Sequence, residues 1–296
     1  MRPASLIYNP AAGRHQLGRQ VPALVEALAA SGFAAAPLPT SGPGDATHLA
    51  QARAAAGDEA VFAFGGDGTI REAAAGLLGT PTALGILPGG TTNVLARALR
   101  IPLVPQAAAR AAGSYRTLPL DVGLCSTQAG AQHPFLMMVS CGLDAWLLET
   151  LDPRWKRRLG QLGIGLQGLA AWWRYGYPSI EIEAGGQRYT ASLVAVCNID
   201  LYGGSYRIAP AARPDDGRLE LVLFHGKTRA ATLAFALALT LGRHVRRKDV
   251  RIVPVEGEIR IKLPEGTCAQ IDGDSVGGCG ELVLSVMSEK LRVLAP

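Results

Sequence analysis

The chain has little cysteine, few aromatic residues and few charged ones. Its five cysteines are widely spaced, and no two of them form a C-x-x-C pair. This pattern argues against a disulfide framework or a zinc site and is typical of a reducing compartment, so we expect a cytoplasmic location. Charged residues make up 18% of the 296 residues, and the formal net charge is +5. So small a positive excess, without a dominant basic run, argues against a nucleic-acid partner.

Long uninterrupted apolar runs are also missing. Residues 73 to 96 and 122 to 143 carry no charged side chain, but glycine, proline and polar residues interrupt both stretches. A membrane-spanning helix needs about 20 predominantly apolar residues in a row, so neither stretch is predicted to span. The apolar run of residues 230 to 241 is too short to span and predicts a buried amphipathic or an interfacial helix. No signal peptide is predicted before Asn9-Pro10.

Two common phosphate-binding motifs are absent. There is no G-x-x-x-x-G-K-[ST] sequence, and the first lysine of the chain is Lys156. A P-loop is therefore excluded from the first half, where backbone amides, hydroxyls, arginine or a metal must hold any phosphate. No G-x-G-x-x-G follows the first predicted strand, which argues against an ordinary dinucleotide-binding fold.

Apolar runs and helical periodicity alternate in the first part of the chain. Residues 4 to 8, 33 to 38, 60 to 64 and 83 to 87 predict four strands, each followed by a helix, and this order is typical of an α/β domain with a parallel sheet. From about residue 117, short β-prone runs separated by Gly, Asp or Pro predict an antiparallel β domain. At roughly 100 to 200 residues per domain, we place two domains, at residues 1 to 120 and 121 to 296.

The second half contains seven predicted strands and two predicted helices. The strands are residues 135 to 140, 180 to 183, 193 to 198, 219 to 224, 250 to 255, 259 to 263 and 281 to 286. The helices are residues 154 to 174 and 228 to 243.

Glycine-rich loops occur where predicted strands pass into predicted helices. Gly65-Gly66-Asp67-Gly68 follows one strand, and Pro88-Gly89-Gly90 follows the next. Backbone amides and the positive end of a helix can bind a phosphate at such loops, and glycine permits close approach. Thr69 and Glu72 have the spacing of a capping box, which predicts Thr69 as the N-cap of the following helix. Asp67 is either a turn residue that accepts backbone hydrogen bonds or a ligand of Mg²⁺ beside the phosphates.

Motifs along nearly the whole chain resemble the diacylglycerol kinase catalytic-domain family, particularly its soluble bacterial lipid kinases. In the first half they are Asn9-Pro10-Ala11-Ala12-Gly13, Gly65-Gly66-Asp67-Gly68-Thr69 and Leu87-Pro88-Gly89-Gly90-Thr91-Thr92-Asn93. In the second half they are Leu120-Asp121-Val122-Gly123, Tyr202-Gly203-Gly204, Ile208-Ala209-Pro210, Pro214-Asp215-Asp216-Gly217-Arg218-Leu219 and Ile271-Asp272-Gly273-Asp274. The resemblance implies an α/β domain like that of NAD kinases and diacylglycerol kinases, followed by an antiparallel β-sandwich domain. It also implies ATP- and Mg²⁺-dependent phosphorylation of a lipid hydroxyl.

The resemblance further implies roles for individual residues. ATP contacts are expected from Asn9, Pro10, Ala11, Ala12, Gly13, Thr40, Gly66, Asp67, Gly68, Thr69, Ile70, Arg71, Glu72, Gly90, Thr91 and Asn93. Asp67 together with Asp121 is expected to support the Mg²⁺ network. A second Mg²⁺ site is expected from the carbonyls of Arg213 and Arg218 and the carboxylate of Asp216, and its alternative is an Asp-Asp-Gly turn without an ion.

The catalytic base is predicted from the last of these motifs. The family commonly has an Asp-Gly-Glu segment there, whereas this chain has Asp272-Gly273-Asp274. By the resemblance, Asp274 takes the proton from the lipid hydroxyl as it attacks the γ-phosphate, and Asp272 is the second choice. The alternative is that Asp274 is a turn residue only.

Several alternatives stay open at this stage. Gly-Gly-Asp-Gly-Thr is shared with NAD kinases and phosphofructokinases, so a kinase of a soluble acceptor and a non-catalytic nucleotide- or lipid-binding module are the other functions considered. Aromatic and basic residues near both ends of the 154 to 174 stretch indicate either peripheral membrane contact or a helix packed on the β domain. These residues are Trp155, Lys156, Arg157, Arg158, Trp172, Trp173, Arg174 and Tyr175. No pattern in the sequence selects one lipid or one oligomeric state.

Overall fold

The computed structural model describes residues 1–10, 17–150, 167–277 and 280–296. The chain forms two compact units. The first comprises Met1–Val122, Leu201–Ser205 and Met287–Pro296, and the second comprises Gly123–Asp200 and Tyr206–Val286.

The first unit is built on one mainly parallel sheet of six strands. These strands are β1 (Arg2–Tyr8), β2 (Phe33–Pro39), β3 (Ala60–Gly65), β4 (Ala83–Pro88), β5 (Arg116–Leu120) and β20 (Leu291–Ala295). The short strand β12 (Leu201–Tyr202) also belongs to this unit but lies outside the sheet. Its helices are α1 (Val21–Ala30), α2 (Asp45–Ala55), α3 (Asp67–Leu77), α4 (Val94–Ala98) and α5 (Pro105–Ala111). The sheet order is β2-β1-β3-β4-β20-β5, and only β5 runs antiparallel to its neighbour. The predicted α/β class is confirmed.

Continuous apolar runs explain why β3 and β4 lie in the middle of this sheet. Every residue of both strands is buried. A central parallel strand is covered on both faces, so it carries apolar side chains at every position rather than at alternate ones. Helix α3 contributes Ile70, Ala73 and Leu77 to the core at helical spacing.

The second unit contains two six-stranded antiparallel sheets. Its strands are β6 (Gly123–Thr127), β7 (Gln132–Phe135), β8 (Met138–Cys141), β9 (Ile180–Ala184), β10 (Gln187–Ala191), β11 (Leu193–Cys197), β13 (Tyr206–Arg207), β14 (Leu219–Phe224), β15 (Val250–Val255), β16 (Ile259–Lys262), β17 (Ala269–Ile271), β18 (Asp274–Gly277) and β19 (Glu281–Val286). The sheet orders are β10-β9-β16-β19-β6-β7 and β15-β14-β11-β8-β17-β18. Alternate residues of both sheets, among them Ile182, Val196, Leu221 and Ile261, form one buried cluster. The predicted antiparallel β sandwich is confirmed.

Two helices of the second unit have defined bounds, α6 (Leu143–Thr150) and α7 (Arg229–Thr240). Helix α7 matches the predicted helix of residues 228 to 243, and the Thr228 side chain caps it by accepting a hydrogen bond from the Ala231 amide at 3.1 Å. Residues 167–174 are also helical, whereas residues 154 to 166 of the other predicted helix lie outside the described residues. Within the described ranges, no helix is long and apolar enough to cross a membrane.

The structure contains strands that the sequence did not predict, such as β10 and β17, and it pairs two segments differently from our prediction. The run of residues 135 to 140, predicted as one strand, is divided between β7 and β8, which belong to different sheets. The final strand β20 lies in the parallel sheet between β4 and β5, although our division at residues 120 and 121 assigned it to the second domain. Local periodicity contains no information about either event, because both depend on pairing between distant segments.

Candidate functional site

The loops that follow β3 and β4 pack directly against each other. The Gly89 amide donates a hydrogen bond of 2.8 Å to the Gly65 carbonyl. A Cβ atom added to Gly90 would lie 2.7 Å from the Cα of Gly66, so this approach requires a residue without a side chain. The two glycine-rich motifs therefore form one surface at the carboxyl edge of the sheet.

Asp67 links the two loops. Its carboxylate accepts a hydrogen bond of 3.1 Å from the Thr92 hydroxyl and a longer one of 3.5 Å from the Leu95 amide. Asp67 is also the first residue of α3, where the positive end of a helix favours a negative charge. The carboxylate is therefore held at the surface of the loops, in a partly exposed position.

Asn93 stabilises the second loop through its side chain. Its Oδ1 accepts a hydrogen bond from the Gly90 amide at 2.9 Å, and its Nδ2 donates one to the Gly90 carbonyl at 3.0 Å. Its backbone has a φ of 48°, a left-handed conformation that asparagine tolerates better than most residues. Asn93 is buried, which is consistent with a role in shaping the loop.

A cleft of about 520 Å³ lies at this edge of the first unit, and seven of the residues predicted to contact ATP line it. They are Asn9, Pro10, Thr40, Gly66, Gly68, Thr69 and Glu72. The carboxyl ends of parallel strands meet at one sheet edge, and the Thr40 amide donates a 2.9 Å hydrogen bond to the Tyr8 carbonyl. Segments that are distant in sequence are thereby brought to one cleft.

The cleft also has lining residues that the sequence analysis missed. They are Ser41, Gly42, Pro43 and Ala46, in and just after the loop between β2 and α2. The Ser41 amide and hydroxyl donate hydrogen bonds to Asp45 Oδ2 at 2.7 and 2.9 Å, and these bonds, the amide one first, lower the pKa of the Asp45 carboxyl. The Ser-Gly-Pro-Gly-Asp sequence after a predicted strand was the signal that could have identified this loop.

Other predicted ATP-contacting residues have different positions. Ile70 is fully buried in the core, so its side chain does not face the cleft. Thr91 is exposed on the loop before α4. Arg71 is a half-buried residue of α3, and Ala11, Ala12 and Gly13 lie outside the described residues.

The capping-box prediction is wrong. The N-cap of α3 is Gly66, three residues before the predicted N-cap Thr69, and glycine has no side chain that could form a cap. The Thr69 side chain packs over Gly65 instead, since a Cβ atom placed there would meet Thr69 Oγ1 at 2.6 Å. Because Thr69 is inside the helix, Glu72 cannot form the predicted reciprocal cap, and its side chain is part of the cleft wall.

Asp121 is buried and paired with a residue that the sequence analysis did not consider. Its Oδ1 lies 2.9 Å from the Nζ of Lys290, at the start of the C-terminal segment that returns to the first unit. The carboxylate itself has no solvent exposure. A buried carboxylate requires such a partner, because its charge is strongly disfavoured in an apolar environment.

Asp272 has a structural position in the second unit. Asp272 and Gly273 form the two-residue turn between β17 and β18, with φ values of 50° and 91° that are typical of a type I′ turn. The buried carboxylate accepts hydrogen bonds from the amides of three consecutive residues, Leu136, Met137 and Met138, at 2.8 to 2.9 Å. These amides lie where the chain passes from β7 in one sheet to β8 in the other. Asp272 accepts the hydrogen bonds that these amides would otherwise donate to a neighbouring strand.

Asp274 lies at the first position of β18 and is exposed. The turn before it is anchored by Gln270, whose Oε1 accepts a hydrogen bond from the Gly273 amide at 2.7 Å and whose Nε2 donates one to Ser140 Oγ at 2.6 Å. Ser140 in turn donates to Asp144. The two aspartates of the motif therefore differ: Asp272 is enclosed by donors, and Asp274 faces solvent.

The predicted second metal site consists of one exposed carboxylate, that of Asp216, and two backbone carbonyls. Asp216 is exposed, and its Oδ1 accepts a hydrogen bond of 3.1 Å from the Arg218 amide. Nearby Glu220 is buried. Burial first and then the negative charge of Asp216 raise the pKa of Glu220, and Arg218 opposes this shift. Among the described residues, no three His, Cys, Asp or Glu side chains are grouped so that they could hold a metal.

Family models match both parts of the chain. The model of the diacylglycerol kinase catalytic domain matches residues 3–125, and the model of the YegS C-terminal NAD kinase beta sandwich-like domain matches residues 137–295. The second match alone covers more than half of the 296 residues.

Two relatives match over nearly their whole length. A "Diacylglycerol kinase" of Bacillus subtilis is 28% identical over 94% of this chain and 91% of its own. A "Probable lipid kinase YegS-like" protein of Pseudomonas aeruginosa is 32% identical over 96% of this chain and 92% of its own. A crystal structure of a diacylglycerol kinase from Bacillus anthracis superposes with a TM-score of 0.72 over 100% of this chain and 97% of its own, at 24% identity, which supports the fold. With both family models matched in order and a relative above 30% identity along the chain, this protein belongs to the diacylglycerol kinase family.

Proposed function

We propose that this protein is an ATP- and Mg²⁺-dependent lipid kinase that transfers the γ-phosphate of ATP to a hydroxyl group of diacylglycerol or a related lipid. The observation that carries the proposal is the cleft at the carboxyl edge of the parallel sheet, lined by the glycine-rich loop after β3 and by other residues predicted to contact ATP. Membership of a kinase family supports phosphoryl transfer. The names of the relatives support a lipid as the acceptor.

The phosphates of ATP are assigned to the start of α3 and the loop before it. The first amides of a helix have no intrahelical partners, and the positive helix end attracts anions. Gly66, Gly68 and Thr69 present these groups at the cleft. No lysine precedes Lys156, and Lys290 of the first unit is paired with Asp121. We therefore assign to amides and hydroxyls the phosphate contacts that a lysine makes in P-loop enzymes.

Oxygen donors of this chain fit Mg²⁺, which bound here would neutralise charge on the β- and γ-phosphates. We assign Asp67 to the cation beside the nucleotide, because its carboxylate is held at the loop surface. Asp121 supports that network indirectly, since Lys290 already neutralises its buried carboxylate. A second cation is assigned to the Asp216 carboxylate with the carbonyls of Arg213 and Arg218, and its positive charge would offset the repulsion between Asp216 and Glu220.

Asp274 is assigned as the general base. It accepts the proton of the lipid hydroxyl while the hydroxyl oxygen attacks the γ-phosphorus, and the bond from that phosphorus to the bridging oxygen breaks to release ADP. Asp272 is poorly suited to this role because three backbone amides already donate to its carboxylate. Asp274 is exposed and follows a turn that Gln270 anchors, so its backbone position is well defined.

The proposal is tested by incubating the protein with γ-labelled ATP, Mg²⁺ and detergent-dispersed diacylglycerol, and in parallel with a bacterial lipid extract. We expect label in the organic phase, with loss of that label in Asp274→Asn. The matched control is Glu265→Gln, which removes an exposed carboxylate outside the proposed site and is expected to retain activity.

Other outcomes would contradict specific parts of the proposal. Label that enters only a water-soluble product would identify a kinase of a soluble acceptor. Binding of ATP without transfer to any acceptor would identify a non-catalytic module. Full activity of Asp274→Asn would remove Asp274 as the base.

A further inference from the structure

Helix α7 is attached to the second unit by one face only. Thr232, Phe235 and Leu239 are its buried residues, at spacings of three and four. The Phe235 ring stacks on Phe224 of β14, with 4.6 Å between ring centroids and an interplanar angle of 24°. This packing fixes the orientation of the helix on the outside of the sheet.

The opposite face of α7 is apolar and exposed. Leu233 and Leu237 in the helix and Leu241 at its C-cap are 63%, 61% and 59% exposed. Residues four apart lie on one side of a helix, so the three leucines form a stripe about 12 Å long. Single exposed leucines are common on protein surfaces, but an aligned set with no charged residue between them is not. We call Leu233, Leu237 and Leu241 the outer face.

An exposed tryptophan lies beside the first turn of α7. Trp173 is 62% exposed, and the Arg229 guanidinium lies 4.2 Å from the centroid of its ring and also donates to its carbonyl. Trp172 and Tyr175 pack instead against the cluster around Phe235. The interpretation as a helix packed on the β domain therefore holds for Trp172 and Tyr175, and membrane contact stays a proposal. Trp155, Lys156, Arg157 and Arg158 lie outside the described residues.

The segment that carries the outer face is positively charged. Between His225 and Lys248 there are six Lys and Arg residues and no Asp or Glu. Five of these cations are exposed: Lys227, Arg229, Arg243, Arg246 and Lys248. The sixth, Arg247, pairs with Asp249 at 2.6 Å. Basic groups therefore stand at both ends of an apolar stripe.

We propose that the outer face, with Trp173 and the flanking cations, docks this protein on an anionic lipid bilayer, with α7 lying in the plane of the interface. Leucines on one side of a helix, an interfacial tryptophan and basic ends are the features of helices that bind in this way. A second copy of the chain is a poorer occupant, because a symmetric contact would place the basic ends of two identical faces near each other. The inference rests on the proposed lipid kinase function for its purpose, since a membrane would supply the acceptor.

The test is co-sedimentation with vesicles of phosphatidylcholine alone or mixed with phosphatidylglycerol. We expect binding to the anionic vesicles, weakened by added salt. The double variant Leu233→Gln/Leu237→Gln should weaken binding by at least about tenfold, because it removes two apolar side chains that the bilayer would bury. The variant Arg243→Gln/Arg246→Gln should lose the preference for phosphatidylglycerol. The control is Leu103→Gln, at a leucine of the first unit that is 38% exposed, and this variant should bind as the parent does.

Separate readouts distinguish failure of docking from failure of the proposed function. Thermal melting should be unchanged in the leucine variants, because the replaced side chains are exposed, and phosphorylation of a short-chain diacylglycerol in free solution should be unchanged as well. Absence of vesicle binding by an active parent protein would overturn the docking proposal and leave the kinase proposal standing. Vesicle binding without phosphoryl transfer would do the reverse. A dimer in sedimentation equilibrium that Leu237→Gln dissociates would assign the outer face to a second copy and overturn the proposal.

Discussion

Two Asp-Gly pairs, one in each unit, have opposite surroundings. Asp67-Gly68 follows a parallel strand and begins a helix, and the Asp67 carboxylate is partly exposed between two loops. Asp272-Gly273 connects two antiparallel strands, and the Asp272 carboxylate is buried beneath three amide donors. The difference lies in what each turn does with backbone donors. At a strand-to-helix turn, the first amides of the helix have no partner within the helix and can donate to a ligand. At the hairpin turn, the carboxylate accepts hydrogen bonds from the amides of another segment.

The largest effect on stability is expected at the buried Asp272-Gly273 turn. Asp272→Ala should lower the free energy of unfolding by about 3–5 kcal/mol, because it leaves three buried amides without an acceptor. Urea denaturation measures this change. Asp274→Asn, two residues away at an exposed position, should stay within about 0.5 kcal/mol of the parent. A similar loss of stability in both variants would remove the distinction between the two aspartates.

A substitution in the partly exposed Asp67-Gly68 pair is expected to lower activity without lowering stability. Asp67→Asn keeps the size of the side chain and removes its charge, so phosphoryl transfer should fall by about 10²–10³-fold. Its melting temperature should change little, because the residue is partly exposed and an amide oxygen can still accept from Thr92. Steady-state kinetics with a thermal melt tests both parts. Activity within tenfold of the parent would contradict the assignment of Asp67 to the metal.

Substitutions of two glycines of the first unit, Gly90 and Gly68, are expected to have smaller effects that differ in sign. Gly90→Ala places a Cβ atom 2.7 Å from Gly66 Cα, so it should destabilise the protein by about 1–3 kcal/mol as the loops separate. A Cβ atom at Gly68 meets nothing within 4 Å, and alanine in a helix is favoured over glycine by up to about 1 kcal/mol. Gly68→Ala should therefore keep or gain stability and yet bind ATP more weakly. Unchanged ATP affinity, measured by calorimetry, would place the phosphates elsewhere.

The smallest effect concerns the second cation. In the absence of nucleotide, Mg²⁺ at about ten times its dissociation constant should stabilise the parent protein by about 1.4 kcal/mol. Asp216→Asn should remove this increment, and Glu265→Gln should retain it. Thermal melts with and without Mg²⁺ provide the measurement. Equal stabilisation of Asp216→Asn and the parent would indicate a plain turn without an ion.

Much of the fold was predictable because its signals are local. Continuous apolar runs such as residues 60 to 64 identified buried parallel strands, and short alternating runs such as residues 259 to 263 identified the antiparallel sheets. Within the candidate site, the prediction that both glycine loops serve the same site stays a proposal, but their contact is observed. The start of α3 was missed because Thr69 has the residue type of a cap, whereas the observed N-cap, Gly66, lies three residues earlier.

The residues that sequence analysis missed depend on distant partners. Lys290 neutralises Asp121 only because the C-terminal strand returns to the parallel sheet, and no local pattern connects the two residues. Asp272 resembled a second candidate base in the sequence, and its three amide partners became evident only where the chain crosses between the two sheets. Ser41 was overlooked because its loop lines the cleft only where the neighbouring strand ends lie beside it.

The sequence by itself determined the alternation of the first four strands with helices, the class of each unit and the positions of the glycine turns, because periodicity and glycine act over a few residues. Tertiary structure alone decided which carboxylates are enclosed and which face solvent, since enclosure depends on donors from segments far along the chain. It also decided that Leu233 and Leu237 are exposed while Phe235 is buried. All three are apolar residues of one helix, and only the sheet beneath α7 determines which side is covered.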